Sequence, residues 1–287
     1  METFKIRTWM RAATDNAVTT LSILATIVVV TPLVAIFAYL VYKGASSLNV
    51  AFFLENPKPV GEVGGGMANS IVGSGVLLAI ASMIGVPLGI GGGIFLAEFG
   101  RGTKLANSVR FTADVLNGVP SIVMGLAAYS LVVVPQKHFS ALSGGVALGI
   151  MMIPTVCRTT EEMLLMVPHA VREAALGLGI PNWRSVLSIT VKTASPGIIT
   201  GCMLAFARVA GETAPLIFTA LGNPFMSTKI NQPIEALPLQ IYIYALSPYD
   251  DWHRLAWAGS LVLIVLIVLA VALVRFVTSR GVLKGVS

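Results

Sequence analysis

Six apolar stretches, each long enough to cross a lipid bilayer, leave this chain few folds to adopt. They cover 18–42, 68–97, 111–134, 144–166, 194–221 and 255–276. A helix needs about 20 apolar residues to span the hydrocarbon core. Composition agrees: 55% of residues are hydrophobic, 11% are charged and mean hydropathy is +0.84, whereas soluble domains carry about 25% charged residues. The largest connections, 43–67, 168–192 and 222–254, are too short to hold a soluble domain. Residues 1–287 therefore read as a single transmembrane domain, an all-α polytopic membrane protein of six helices. The run over 18–42 follows Lys5, Arg7 and Arg11 as a secretory signal would. It exceeds the 7–15-residue core of such a signal, and the GASS that follows Lys43 is a poor cleavage site, so it reads as a retained helix.

Six spans put both termini on one side. The net charge of +6 is spread along the sequence, which fits membrane orientation better than nucleic-acid binding. The segments on the side of the termini hold most of the basic residues, from Lys5, Arg7 and Arg11 through Arg101, Lys104, Arg110, Arg172, Arg184 and Lys192 to Arg275, Arg280 and Lys284. The other side holds Lys43, Lys58, Lys137, Lys229 and Arg254. The positive-inside rule then gives a cytoplasmic N-terminus and C-terminus. Ala81, Gly85, Gly89, Gly93 and Ala97 recur every four residues, as do Gly197, Gly201 and Ala205. Such stripes let helix backbones approach closely where lipid supplies no hydrophobic drive for association. Cys157 and Cys202 lie in apolar segments and read as small buried side chains.

Two arginines, Arg158 and Arg208, fall inside the fourth and fifth stretches. A charge at that depth costs about 3 kcal/mol or more and persists only facing a cavity or a partner. Arg158 lies about 5 Å from the centre of its stretch at 1.5 Å per residue, and Arg208 lies almost at the centre of its own. The two guanidinium groups are thus expected at similar depth, converging on one anion. Glu212, four residues after Arg208, is expected on the same helix face. It is either a selector within the path or a structural partner of the arginine. Arg158 has a local alternative too, in Glu161 and Glu162. Asn117 and Ser121 bracket Gly118 and Pro120 in the third stretch, where they line a gate or make ordinary interhelical hydrogen bonds.

The connection 168–192 reads as a short helix over 170–178, a stop at Gly179 and a restart near Pro181. Its apolar face of Val171, Ala174, Ala175 and Leu178 is expected to dock on another surface. Glu173-Ala174-Ala175, with Gly179 next in the pattern and Ile189 beyond it, resembles the EAA signature of bacterial ABC-importer permeases. The usual Leu-Pro ending is replaced by Val191-Lys192. Three further stretches, DVLNGVPSIVMGL (114–126), RTTEEML (158–164) and ARVAGETAPLIFTALGN (207–223), are similar to the PstA family, one of two permease types of the phosphate-specific ABC importer. So is SPYDDWHRLAWAG (247–259).

The resemblance implies a type I permease bundle in the bacterial cytoplasmic membrane that forms half of an inorganic phosphate path. It implies a homologous permease (PstC-like), an ATPase dimer (PstB-like) and an extracytoplasmic phosphate-binding protein (PstS-like) as partners. Glu173, Ala174, Ala175 and Gly179 would contact the ATPase, and Arg158 and Arg208 would serve phosphate. No cofactor is expected on this chain, since ATP and Mg²⁺ would be used by the ATPase. The chain contains no Gly-Lys dipeptide, so it has no Walker A motif, and it is expected to be a transport subunit rather than an enzyme. Alternatives are a permease for sulfate or molybdate, or a proton-coupled secondary carrier using Arg208 and Glu212.

Overall fold

The computed structural model describes residues 2–62 and 64–283, and the side-chain surroundings of 14–62 and 64–278. Of the basic residues that set the orientation, Lys284 lies outside the described residues, as do the side chains of Lys5, Arg7, Arg11 and Arg280. Helix dominates from end to end. A long α1 (Glu2–Gly44) is followed by α2 (Val50–Leu54) and by α3 (Ala68–Ile94), which continues into a π-turn (Phe95–Phe99). Next come α4 (Lys104–Gly118) and α5 (Ser121–Ala128), the latter running through a second π-turn (Tyr129–Val133) into α6 (Val134–Gln136). After α7 (Ala141–Leu165) and the short α8 (His169–Gly177), a single rod is built from α9 (Asn182–Ser185), a third π-turn (Val186–Thr190) and α10 (Val191–Ala210). The chain closes with α11 (Ala214–Ile217), α12 (Leu237–Ala245) and α13 (Asp250–Leu283).

Among the described residues, five helices are long and apolar enough to cross a membrane, and α4 with α5–α6 makes a sixth candidate, bent by 110°. The bend corrects the straight helix expected over 111–134. Val119 precedes Pro120 and is held extended at φ −70°, ψ 133°, because the proline ring disfavours a helical residue before it. The fifth span is also shifted. It covers Asn182–Ala210 rather than 194–221. Gly211 ends it, and Pro215, lacking an N–H and clashing with the preceding turn, prevents its continuation. Pro215, Leu216 and Ala220 are buried within protein, which is why this segment looked like membrane by hydropathy. The connection expected over 168–192 shortens accordingly, because Asn182–Lys192 already belongs to the rod. The connection 222–254 contains the apolar α12, whose Leu237 and Tyr244 pack with Phe52, Met67 and Ala258.

The small-residue stripes set the helix arrangement. A Cβ placed on Gly85, Gly89 or Gly93 of α3 would stand 2.6, 2.6 and 2.5 Å from the Cβ atoms of Met152, Val156 and Thr160 of α7. No side chain fits there, so α3 and α7 run parallel in backbone contact. Gly197 and Gly201 of α10 stand against Met163 and Thr159 of α7, which makes α10 antiparallel to α7. Around this seam lies the main core, with Leu77, Leu148, Met152, Val156 and Leu216 buried. Cys157 and Cys202 are buried small residues, as expected. The first helix packs differently: from Val18 to Phe37 its large apolar side chains are exposed, and it meets α13 near its end, where Leu40 is buried and Tyr39 makes an edge-to-face contact with Trp257 at 5.3 Å.

Candidate functional site

Polar residues gather at three levels of the bundle, at the end that carries α8, at its middle and at its far end. At the end that carries α8, α4 lies antiparallel along α7 and three polar rungs join them. Arg110 Nε donates to Glu161 at 2.6 Å, Arg158 Nε meets Asp114 at 3.0 Å, and the Thr155 hydroxyl donates to Asn117 at 3.0 Å. Arg158 Nη1 also donates to Glu161 at 2.9 Å. Glu161 is buried and accepts from two guanidinium groups, so its desolvation is offset on both sides. Of the two local partners foreseen for Arg158, Glu161 is used, while Glu162 is exposed. Asp114 was not foreseen. Recurrence of Arg110, Asp114 and Asn117 at helical spacing was the sequence signal for this ladder. Ser121 opens α5 just past the break.

The loop helix is mounted on the same end. Ala175 is buried and Val171 packs against the main core, whereas Glu173, Ala174, Leu176 and Leu178 are exposed. The expected apolar face is thus divided between the bundle and an open surface, with Leu178 81% and Trp183 60% exposed. Gly179 stops the helix at φ +75°, a left-handed conformation that suits glycine. Its N–H donates to Leu176 and that of Ile180 to Ala175, closing a Schellman motif. Arg172 holds α8 in place. Its guanidinium donates to Glu98 at 2.7 Å, to the Leu164 carbonyl at 2.6 Å and to the Val167 carbonyl at 2.9 Å. Sequence reading missed this contact, whose partners lie 74 residues apart.

Arg208 stands elsewhere. Gly201 faces Thr159 across the α7–α10 seam, so Arg158 is level with about residue 202 and Arg208 lies some six residues further along. At 1.5 Å per residue the two arginines are about 9 Å apart along the bundle, which corrects the expectation of a common depth. The arginine occupies the last turn of α10 and is exposed. It has no ion pair or side-chain hydrogen bond among the described residues, and its charge is favoured there by the carbonyls of the helix end. Glu212 follows the end of the helix at Ala210, so it does not share a helix face with Arg208. It borders a crevice with Ser74, Leu148, Val209, Leu216 and Pro238.

A second carboxylate, Glu235, is buried at the far end of the bundle, in the connection before α12 and beside Gly73 near the start of α3. Burial pushes its carboxyl up to about 7, against the lowering effect of backbone N–H donors on Ala236 and Asn223. Those N–H groups lie 3.2 Å from its two oxygens, and Asn69 donates to the Asn223 carbonyl at 2.8 Å. The carboxylate closes the segment 222–236 on itself, and Asn69 ties it to α3. Nothing in the local sequence marks it.

Residues 89–281 match the family described as binding-protein-dependent transport system inner membrane component. The phosphate transport system permease protein PstA of Yersinia pestis is 48% identical over 240 residues, covering 84% of this chain and 81% of that protein. The phosphate transport system permease protein PstA 1 of Mycobacterium tuberculosis (strain ATCC 25618 / H37Rv) is 37% identical over 221 residues, 75% of this chain and 71% of that one. Among solved structures, an inward-facing MetNI methionine ABC transporter matches with a TM-score of 0.57 at 19% identity. The match covers 77% of this chain and 97% of that one, a likeness of fold.

Proposed function

The chain belongs to the family of binding-protein-dependent transport system inner membrane components, and on that premise we propose that it is a permease subunit of an ATP-driven inorganic phosphate importer. The observation that carries this reading is near-even identity with phosphate permeases over four-fifths of the length of both chains. The protein is a multi-pass membrane protein, and we place it in the bacterial cytoplasmic membrane with both termini inside. It supplies half of a path completed by a second, homologous permease. An ATPase dimer docks on the exposed side of α8, at Glu173, Ala174, Leu178 and the Gly179 stop. A binding protein delivers phosphate to the opposite end. ATP and Mg²⁺ act on the ATPase, whose closure moves α8 and rocks the bundle between outward and inward states.

Arg208 is the anion-recognising group in this reading. Its planar fork donates paired hydrogen bonds to oxyanion oxygens and keeps its charge at any relevant pH. Glu212, set beyond the helix end near that arginine in sequence, accepts from the P–OH proton of phosphate and repels fully ionised sulfate. Arg158 is already balanced by Asp114 and Glu161, so it faces the path as a weak site that lets the ion leave. Asn117 and Ser121 flank the break that would open and close.

Uptake of labelled phosphate by the complete importer, in cells lacking their own phosphate permeases, tests this. Phosphate should be taken up with at most weak competition from sulfate or molybdate, and an ATPase should copurify with the permease. Equal competition by sulfate would overturn the substrate. Uptake by this chain alone, abolished by an uncoupler, would overturn the ATP-driven mechanism in favour of a secondary carrier.

A further inference from the structure

The polar contacts at the α8 end are continuous, and their order is informative. They begin on α8, where Arg172 grips Glu98 at 2.7 Å. Glu98 belongs to the π-turn Phe95–Phe99 that ends α3. A π-turn departs from the ordinary helical ladder, and such turns recur at functional positions. Here its carbonyls receive side chains: Leu96 accepts from Arg110 at 3.0 Å, and Ala97 accepts from Arg101. From Arg110 the chain of contacts passes to Glu161 at 2.6 Å, then to Arg158 at 2.9 Å and to Asp114 at 3.0 Å. Asp114 sits one turn before the break at Val119–Pro120, and Asn117 adds the last rung. A line of short contacts, joined between Glu98 and Arg110 by the backbone of the π-turn, therefore runs from the loop helix to the bend in the third span.

We propose that Arg172, Glu98, Arg110 and Glu161 form a coupling strut, positioning residues through which movement of α8 reaches the α4–α5 break. The proposal rests on the reading of α8 as the ATPase-docking helix. Two features favour a strut over simple anchoring. Glu98 and Glu161 are nearly inaccessible, with side chains 8% and 3% exposed, so neither relaxes into water when its partner shifts. Each carboxylate also bridges two elements: Glu98, at the end of α3, holds Arg172 of α8, and Glu161, on α7, holds Arg110 of α4. Rigid polar links of this kind transmit displacement because a small shift costs several charge-assisted bonds at once.

The test uses the complete importer in liposomes, with ATP hydrolysis and phosphate uptake measured in the same vesicles. Glu98→Gln and Glu161→Gln are each expected to leave hydrolysis within about twofold while phosphate moved per ATP falls about fivefold. The double variant should be no worse than the worse single one, since cutting a chain twice has the effect of cutting it once. If a glutamine variant does not assemble, Glu98→Asp and Arg172→Lys, which keep the charge and shorten or unfork the contact, should show the same fall in the ratio. A ratio unchanged in all of these, or hydrolysis and uptake falling in proportion, overturns the strut. Leu178→Asp, on the open side of α8, tests the underlying reading separately. Loss of the copurified ATPase supports docking there. ATPase retained after Leu178→Asp removes the input to the strut and overturns both, whereas an unchanged ratio in the strut variants overturns the strut alone.

Discussion

The α8 end of this bundle and its middle treat their arginines in opposite ways. At the α8 end, Arg110, Arg158 and Arg172 each meet a carboxylate within 3.0 Å. At mid-bundle Arg208 meets none, and neither Glu212 nor, at the far end, Glu235 has a cationic partner among the described residues. Paired charges inside a membrane protein hold elements in register, because separating them exposes two desolvated ions. An unpaired guanidinium leaves its donors available to a passing anion. On the proposed function the first region transmits force and the second recognises the anion, although sequence alone had grouped Arg158 with Arg208.

The strongest way to break that division is Glu161→Gln. It leaves Arg110 and Arg158 short of a shared counter-charge, and a destabilisation of about 3 kcal/mol is expected. Thermal unfolding of the purified complex measures it, and an unchanged melting temperature would mean that the ladder is ornamental. Arg208→Gln should do the reverse. Phosphate uptake is expected to fall about 10- to 100-fold, the worth of one or two charge-assisted hydrogen bonds, with the melting temperature unmoved. Full uptake at normal protein levels would remove Arg208 from the path.

Glu235 gives a smaller, pH-dependent effect at the far end. Its folded-state carboxyl is raised to about 7 from an ordinary 4.5, so it contributes stability in full below the ordinary value and loses it as pH rises through 7. Between pH 6 and pH 8 the loss is about 1.4 kcal/mol. Glu235→Gln should flatten the decline in melting temperature over that interval, and an unaltered slope would show that another group titrates. The smallest effect is expected from Glu212→Gln, a few-fold rise in the ability of sulfate to compete with phosphate. Competition unchanged from wild type would leave selectivity to other groups.

What was legible beforehand was local. The stop at Gly179 follows from the left-handed turn, and the restart near Pro181 follows from proline at a helix start. The glycine stripe of α3 follows from backbone contact, and each could be read within a dozen residues. The candidate site was legible only in its residue types. Arg158 pairs with Asp114 rather than Glu162, Arg172 with Glu98, and Arg110 with Glu161, partners 44, 74 and 51 residues apart. No local pattern specifies such contacts. The misplaced fifth span has a related cause, since hydropathy registers an apolar residue without registering whether lipid or protein surrounds it.

By itself, then, the sequence determined an all-helical membrane bundle with six apolar stretches, a short loop helix between two of them, and arginines set inside apolar stretches that demand an explanation. Those features depend on spacing and on the free energy of transferring each segment into lipid, both of which add up along the chain. Only the tertiary structure decided that the third pass breaks by 110°, that Arg158 is neutralised while Arg208 is not, and that about 9 Å of bundle separates them. The antiparallel seams of α7 with α4 and α10 bring distant carboxylates to some arginines and not to others, and charge pairing is settled by distance in space rather than along the chain.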